Sequence, residues 1–409
     1  ADVMPTETPV IKQNAYPYNF VTSSQAQTLA SGFASNLDGY TSSLLFGVQW
    51  DLTLKYLETK GATQAELKTD STNWGNYYSS EWNITNENSE YSVDFGVFWT
   101  KGAYGHKNAY PDTCILLTTG ASDTFSKQGI YDLAGNVREW TLESDSYSYN
   151  SSHRGGYYGS DTVSKADDHR YASATTTIND IGYRVALYKD TATDSGSDTP
   201  GSNPVIVDVV DPIWKVENIN IDQENQKLTA EVIATDKYLT GVENSTLTTD
   251  DITISVDGDE NANNVIKKTL SEPTFSGDEP YIPDGYSHVE GTNLSNGYTV
   301  QDNKGNQYIW IEVPQTKKVY QMAGLGITEF STSDYTKIEK DLQTYTSIYR
   351  NKTEFEDEWY SQETTGLTSS QYTELKQKML KSVYQNGGFY IGKYETGIEG
   401  TPRTSGDAN

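Results

Sequence analysis

The sequence predicts an α+β fold with a small all-β module inserted in its second half. Three observations support this class. Capping signals open amphipathic helices near both ends of the chain. Short segments rich in Tyr and Trp alternate with turn residues between positions 70 and 184, and strict alternation of apolar and polar residues begins at Val205. The length of 409 residues suits two or three domains.

Charge and composition exclude several classes of function. The chain carries 30 Lys and Arg against 57 Asp and Glu, a net charge of −27. We therefore expect no binding to nucleic acid and no attraction to an anionic membrane. No run of 18 apolar residues occurs in the sequence, which predicts no membrane insertion. The 31 tyrosines indicate a folded protein with a tyrosine-rich surface.

Two helices are predicted in the first 60 residues. Thr22 and Gln25 form a capping box that opens the first helix. An apolar stripe that stops at Gly61 predicts the second helix across residues 48–60. The following segment, 70–184, is rich in Gly, Asn and Ser, which predicts loops with brief strands.

The middle of the chain has a different pattern. Residues 191–204 are almost all small and polar, which predicts a linker. The alternating segments 227–234 and 251–256 predict an immunoglobulin-like β-sandwich over residues 205–271. About five strands are recognisable, fewer than that fold contains. A missing strand from elsewhere in the chain is one explanation.

The last part of the chain, residues 272–409, returns to mixed structure. A hairpin is predicted across 297–313, followed by a helical region across 334–385. Its best-marked helix has a capping box at Thr368 and stops at Gly387. A strand is predicted after it, at residues 389–395.

Several motifs together point to one family. Gly129–Trp140 reads GIYDLAGNVREW, Arg154–Gly156 reads RGG, and Ile181–Arg184 reads IGYR. In this order they resemble the YDMxGNVWEW, RGGSW and GFR segments of the formylglycine-generating enzyme family, also called sulfatase-modifying factors. Residues 17–21 and 44–51 resemble two further family segments.

The order of the motifs differs from the family's order. Residues 389–396 resemble the strand that opens the family domain, but here they lie near the C-terminus. The resemblance therefore implies a C-type-lectin-like domain that is circularly permuted. Its C-terminal part is residues 1–190, and its N-terminal part, with a helical insertion, is residues 272–409. Engineering, natural permutation and excision from a repeat array each account for this order.

The resemblance implies no catalysis by this chain. Oxidase members of the family work with copper and a cysteine pair, one of them directly after the GFR-type segment. Here Val185 occupies that position, and Cys114, flanked by apolar residues, is expected to be a packing residue. We therefore expect neither copper nor formylglycine generation. Four histidines without His-x3-His spacing also argue against an iron-dependent relative, and no nucleotide-binding motif occurs.

The segment 144–177 is the candidate binding region. It consists mainly of Tyr, Ser, Asn, Asp, His, Gly, Arg and Thr, the composition of antibody-like binding loops. It also resembles the variable region of proteins diversified by retroelements on a lectin-like scaffold. A polar surface without a ligand is the alternative. The candidate ligand-binding residues are Tyr147, Tyr149, Asn150, His153, Tyr157, Tyr158, Asp161, His169 and Tyr171.

Near this region, the family motif supplies hard oxygen donors. Family members often hold calcium there, so the resemblance implies calcium ligands at Asp132, Asn136 and Glu139. Arg154 and Arg184 are expected to support the scaffold rather than contact a ligand. Glu139 is expected to be buried and paired with an arginine.

The sequence thus predicts a non-catalytic ligand-binding or adhesion protein. Its expected location is a cell surface, an extracellular fibre or a virion. The expected partner is a protein or glycan on another cell or virion. The first alternative is a structural repeat of an extracellular filament, which would self-associate into a fibre. An enzyme of the sulfatase-modifying class ranks third.

Overall fold

The computed structural model describes residues 3–108, 114–144, 150–160, 164–190, 213–222, 227–235, 255–257, 265–267, 280–350 and 366–408. These residues fall into two units. One lies within Ala1–Pro204 and Pro280–Asn409, and the other lies within Val205–Glu279. None of the described helices is long and apolar enough to cross a membrane. The predicted linker, 191–204, lies outside the described residues.

The described helices of the larger unit are α1 (Ser23–Ser31), α2 (Gly47–Thr59), α3 (Gln64–Lys68), α4 (Thr332–Thr346) and α5 (Ser369–Asn386). They lie where the sequence predicts helical structure, except α3, which was not predicted. Both predicted capping boxes are present, with the Gln25 amide 3.2 Å from Thr22 Oγ1 and the Gln371 amide 3.2 Å from Thr368 Oγ1. At the end of α5, Gly387 has a φ of 68°, a left-handed cap that glycine adopts without strain.

A six-stranded antiparallel sheet forms the centre of this unit. Its strands, in spatial order, are β17 (Tyr286–His288), β18 (Thr299–Asp302), β19 (Gln307–Glu312), β20 (Gly388–Gly392), β12 (Val185–Lys189) and β2 (Tyr40–Leu44). In β20, Phe389 pairs with Ile311 of β19, and Ile391 pairs with Ala186 of β12. The predicted C-terminal strand therefore lies between strands from both parts of the chain.

A second sheet carries the family motifs. It has four strands in the order β10 (His169–Ser173), β9 (Asn150–Arg154), β8 (Arg138–Ser144) and β11 (Ile181–Tyr183), with β11 parallel to β8. The remaining strands of this unit are β1 (Tyr16–Pro17) with β21 (Gly397–Ile398), β3 (Glu90–Ser92) with β4 (Thr100–Lys101) and β5 (Leu116–Leu117), and β6 (Ser126–Lys127) with β7 (Ile130–Tyr131). The short strands β3 to β7 match the loops with brief strands predicted for residues 70–184.

The two described ends of the larger unit pack against each other. Tyr16 of β1 pairs with Ile398 of β21. Arg403 forms an ion pair with Glu7 at 2.6 Å and donates to the carbonyl of Asn19 at 3.0 Å. Residues before α1 thus contact residues after β20.

The smaller unit contains two antiparallel pairs among its described residues. β13 (Ile213–Asp222) pairs with β14 (Lys227–Thr235), and β15 (Ser255–Asp257) pairs with β16 (Val265–Lys267). The ladder of the first pair is irregular between Glu217 and Asn220. Strands are therefore found at both predicted positions, and the immunoglobulin-like arrangement stays a prediction.

Candidate ligand-binding site

The described residues of the predicted binding segment, 144, 150–160 and 164–177, lie on the four-stranded sheet and its turns. β9 and β10 form its regular part, where Arg154 pairs with His169 and Ser152 pairs with Tyr171. Asn150 begins β9. Tyr147, Tyr149 and Asp161 lie outside the described residues.

Two of the nine candidate residues are interior, contrary to the exposed patch that the composition predicts. His153 is 2% exposed, and its ring contacts Trp140 edge-on at 5.7 Å because these residues are cross-strand neighbours. Tyr158 is 1% exposed, and its hydroxyl accepts a hydrogen bond from Asn179 at 2.6 Å. Both side chains therefore support the sheet and present little surface to a ligand.

Tyr157 and Tyr171 remain at the surface and are half-buried, whereas the His169 side chain is only 5% exposed and faces Glu143. The ring of Tyr157 stacks on the Arg138 guanidinium, with 4.0 Å between the guanidinium carbon and the ring centroid. The rings of His169 and Tyr171 lie 5.0 Å apart. Aromatic groups held in this way lose little conformational entropy when they bind, which suits them to a contact surface.

Beneath this face lies a buried cluster with balanced charge, formed by Asp51, Glu143, Arg154 and Arg350. Arg154 Nη2 is 2.5 Å from Asp51 Oδ1, and Arg350 Nη1 is 2.5 Å from Glu143 Oε1. Arg350 Nε is 3.0 Å from Asp51 Oδ2. Two carboxylates thus face two guanidinium groups, and we call this set the balanced cluster.

The balanced cluster keeps Glu143 ionised. Burial alone would raise the pKa of this carboxyl, but His169, Arg154 and Arg350 outweigh burial and hold its pKa below the usual range.

The Glu143 side chain also packs against the first residue of α2, Gly47. A Cβ at Gly47 would lie 2.0 Å from Glu143 Oε1, so only glycine fits there.

A second buried cluster contains Asp132, Glu139, Glu395 and Arg184. Arg184 donates to both carboxylate oxygens of Glu139, at distances of 2.6–3.1 Å, as the sequence predicted for this glutamate and an arginine. Arg184 also donates to the carbonyls of Gly392 and Tyr131, each at 2.8 Å. Three carboxyl groups share one guanidinium group, and we call this set the acidic cluster.

The excess negative charge of the acidic cluster changes its protonation. Burial raises the pKa of Asp132 to about 7, although the Gly120 amide and Arg184 oppose this shift. Burial also raises the pKa of Glu395 well above its usual value, and the charges of Asp132 and Glu139 add to the effect. The acidic cluster therefore retains a proton near neutral pH.

Two of the predicted calcium ligands, Asp132 and Glu139, belong to this cluster, and Asn136 lies beside it. Oxygen atoms of all three already accept hydrogen bonds. Asp132 Oδ2 accepts from the Gly120 amide at 2.6 Å, and Asn136 Oδ1 accepts from the Leu117 amide at 3.1 Å. Glu139 is bound by the arginine. Among the described residues, no group of three or more His, Cys, Asp or Glu is arranged to hold a metal. These side chains do not fit a calcium ion in this arrangement.

The position of the family thiol lies in the core. Val185 is fully buried in β12, where it pairs with Leu44 of β2. The chain has one cysteine, so the cysteine pair of the oxidase members is absent. Cys114 is half-buried and packs against Leu116, Val137 and Tyr158. This surrounding matches the packing role predicted for it.

Sequence reasoning did not find half of the charged groups in these clusters. Glu143 lies between the GNVREW motif and the 144–177 segment, where no motif marks it. Arg350 and Glu395 lie more than 200 residues from their partners, and no local pattern marks such distant pairs. Glu395 was visible as the last residue of the predicted strand 389–395.

Comparison with known proteins supports the motif-based identification. Residues 33–189 match the family model described as "Sulfatase-modifying factor enzyme 1-like domain". The chain therefore contains a domain of the formylglycine-generating-enzyme type. The solved structure entitled "Crystal Structure of CarF" is similar over 43% of this chain and 68% of its own, with 16% identity and a TM-score of 0.28. No curated protein sequence matches the chain.

Proposed function

We propose that this protein is a non-catalytic binding module that presents the 144–177 face to a protein or glycan ligand. The observation that carries the proposal is Val185. An apolar side chain occupies the position of the catalytic thiol and is fully buried between two strands. Copper-thiolate chemistry needs two soft sulfur ligands, and the chain contains one sulfhydryl group.

The surface chemistry supports ligand binding at this face. Tyr157 and Tyr171 combine aromatic area with a polar hydroxyl group, and each ring is held by a neighbouring guanidinium group or ring. The buried charges below hold the strands in place, so the surface residues can change without loss of the fold. Such an arrangement suits a site on the outside of a cell or virion.

The proposal includes the chain order. We infer that the segments 1–190 and 272–409 form one C-type-lectin-like domain in circularly permuted order. The insertion of β20 between β12 and β19 supports this inference, as does the ion pair between Arg403 and Glu7 at 2.6 Å. Ends that lie close together make permutation compatible with a fold.

The test is a binding screen on arrays of defined glycans and of intact bacterial cells. The wild-type chain is compared with the double variant Tyr157→Ala, Tyr171→Ala and with Tyr335→Ala, a half-buried tyrosine on α4. We expect signals that the double variant loses by tenfold or more and Tyr335→Ala keeps, because aromatic anchors dominate binding surfaces. Equal signals from all three proteins would contradict binding at this face.

A further inference from the structure

One surface of the larger unit collects most of its exposed apolar side chains. Among the described residues nine large apolar side chains are exposed, and five of them are Val93, Phe95, Val97, Phe98 and Ile178. Four of the five lie between β3 and β4, in residues 93–98, which we call the apolar loop. The fifth directly precedes Asn179, whose side chain contacts this loop at the Phe95 carbonyl. Single apolar residues are common on protein surfaces, but a contiguous patch marks a contact surface.

The apolar loop adjoins the 144–177 face. The Asn179 side-chain amide donates to the Phe95 carbonyl at 3.0 Å and to the Tyr158 hydroxyl at 2.6 Å. The rings of Phe95 and Tyr158 lie 6.4 Å apart, and the Tyr157 ring lies 5.6 Å from that of Tyr158. The apolar loop therefore continues the end of the face that carries Tyr157.

The apolar loop carries one charge, the carboxylate of Asp94. This carboxylate accepts from the Ser92 hydroxyl at 2.6 Å and from the Phe98 amide at 2.9 Å. The two hydrogen bonds lower the pKa of Asp94, so the group is ionised at neutral pH. No cation of the described residues forms an ion pair with it. A partner of this loop must therefore accommodate an anion beside apolar side chains.

The surrounding charges favour a basic partner. The cation beside Tyr157 is already engaged, because Arg138 pairs with Asp180 at 3.6 Å and lies 4.0 Å above the Tyr157 ring. The chain as a whole carries a net charge of −27. A partner with a positive surface is attracted by this charge and can pair with Asp94, whereas an acidic partner is repelled.

The side chains of the apolar loop favour a protein over a glycan. Val93, Val97 and the neighbouring Ile178 are aliphatic, so they offer neither a flat aromatic face nor a hydrogen-bonding group. Sugar hydroxyls that lost water against them would stay unpaired, which costs free energy. An apolar centre with a charged rim is instead the arrangement found in protein interfaces.

We propose that the apolar loop extends the 144–177 face into a docking surface for a basic protein. Apolar side chains of the partner pack on Val97 and Phe98, and a Lys or Arg of the partner pairs with Asp94. This docking surface presupposes the proposed function, because it adjoins the 144–177 face, and it narrows the ligand to a protein. Phe98 is 75% exposed, more than any other large apolar side chain among the described residues, so we expect it to be the main anchor.

The test is selection of random dodecapeptides displayed on phage against the immobilised full chain. Fluorescence anisotropy of the selected peptides then compares wild type with Phe98→Ser, Asp94→Asn and Met322→Ser. The amide oxygen that Asp94→Asn introduces can still accept from Ser92 and Phe98, so this variant removes the charge and keeps the loop. Met322 is the matched control, because it is 56% exposed and lies outside the apolar loop.

We expect the selected peptides to combine Lys or Arg with large apolar residues. Their binding should weaken at least tenfold with Phe98→Ser, because an aromatic anchor is lost. It should weaken about threefold with Asp94→Asn, as for an exposed ion pair, and stay unchanged with Met322→Ser. Added salt should weaken binding, because it screens the attraction. Equal binding to wild type and Phe98→Ser, or selected peptides without cations, would overturn the proposal.

The double variant Tyr157→Ala, Tyr171→Ala separates this docking surface from the proposed function. Peptides that bind Phe98→Ser but not the double variant would overturn the docking surface and leave the proposed function standing. Peptides that bind the double variant but not Phe98→Ser would support the loop contact and contradict binding at the 144–177 face. Glycans or phosphatidylcholine vesicles that bind wild type but not Phe98→Ser would overturn the assignment to a protein.

Discussion

The two buried charge clusters show how the same residue types serve different ends. The balanced cluster places two carboxylates against two guanidinium groups, whereas the acidic cluster places three carboxyl groups around Arg184. Burial is nearly complete in both. The clusters differ in charge count: cations outweigh burial at Glu143, whereas burial raises the pKa of Asp132 and Glu395.

This contrast explains why neither cluster resembles a catalytic centre. In the balanced cluster the cations hold Glu143 as an anion, whereas at Asp51 burial outweighs both arginines and raises the pKa. In the acidic cluster, the guanidinium group of Arg184 is directed to Glu139 and to two backbone carbonyls. Both clusters connect distant parts of the chain, and we interpret both as supports of the scaffold.

The largest effect is expected from Arg184→Met. This change leaves three buried carboxyl groups without a cation and leaves two carbonyls without their donor. Removing one partner of a buried ion pair typically costs about 3–5 kcal/mol, so we expect the chain to fold poorly. Circular dichroism and urea titration measure the loss. A variant as stable as the wild type would contradict the role of the acidic cluster.

The same substitution should differ sharply between the clusters. Glu143→Gln leaves Asp51 as the one carboxyl group of the balanced cluster that faces Arg154 and Arg350, and we expect a loss of about 3 kcal/mol. Glu395→Gln replaces a carboxyl group that already favours its neutral form, and we expect a change within about 1 kcal/mol at pH 7. Urea denaturation of the two variants measures both changes. Equal losses would show that charge count does not distinguish the clusters.

The pH dependence of stability sharpens the comparison further. The pKa of Asp132 is about 7 in the folded chain and near 3.8 when unfolded. The folded state therefore binds more protons between these values, and this carboxyl lowers stability as pH rises from about 4 to about 7. Above pH 7 its cost stays constant.

Asp132→Asn isolates this contribution, because an amide oxygen can still accept from Gly120. The free energy of unfolding of the variant should rise relative to wild type by at most about 4 kcal/mol between pH 4 and pH 7. Glu143→Gln should give the opposite trend at acidic pH, since the pKa of Glu143 is lowered in the folded state. A flat difference for Asp132→Asn would show that the carboxyl is ionised throughout.

The smallest effect on stability is expected at the surface. Tyr171→Ala removes a half-buried ring above the clusters, and exposed substitutions usually change stability within about 0.5 kcal/mol. The melting temperature should therefore stay close to that of wild type. A large drop would place Tyr171 among the supporting residues, together with His153 and Tyr158.

Local features of the fold were predictable from the sequence. The capping boxes at Thr22 and Thr368 and the stop at Gly387 depend on residues a few positions apart, and all three are confirmed. The turn of the hairpin predicted across 297–313 is also confirmed, because the Asp302 carboxylate accepts a hydrogen bond from the Asn306 amide at 2.8 Å. Such signals are local because backbone groups at element ends need nearby partners.

Long-range features were not predictable in the same way. The pairs Asp51–Arg350 and Asn136–Glu395 join segments about 300 and 260 residues apart, and only the fold brings them together. Composition also did not separate exposed from buried residues within 144–177, since Tyr and His occur in both settings. Side-chain direction there depends on strand register, which composition does not contain.

Because the chain has a single cysteine, we predict that it does not generate formylglycine. The most direct measurement is mass spectrometry of a sulfatase-type cysteine peptide after incubation with the chain, copper and oxygen. A family enzyme with its cysteine pair serves as the positive control, and Cys114→Ser shows whether the single thiol contributes. We predict that the peptide cysteine stays unconverted with the wild-type chain. Formylglycine produced by wild type and lost in Cys114→Ser would contradict the account.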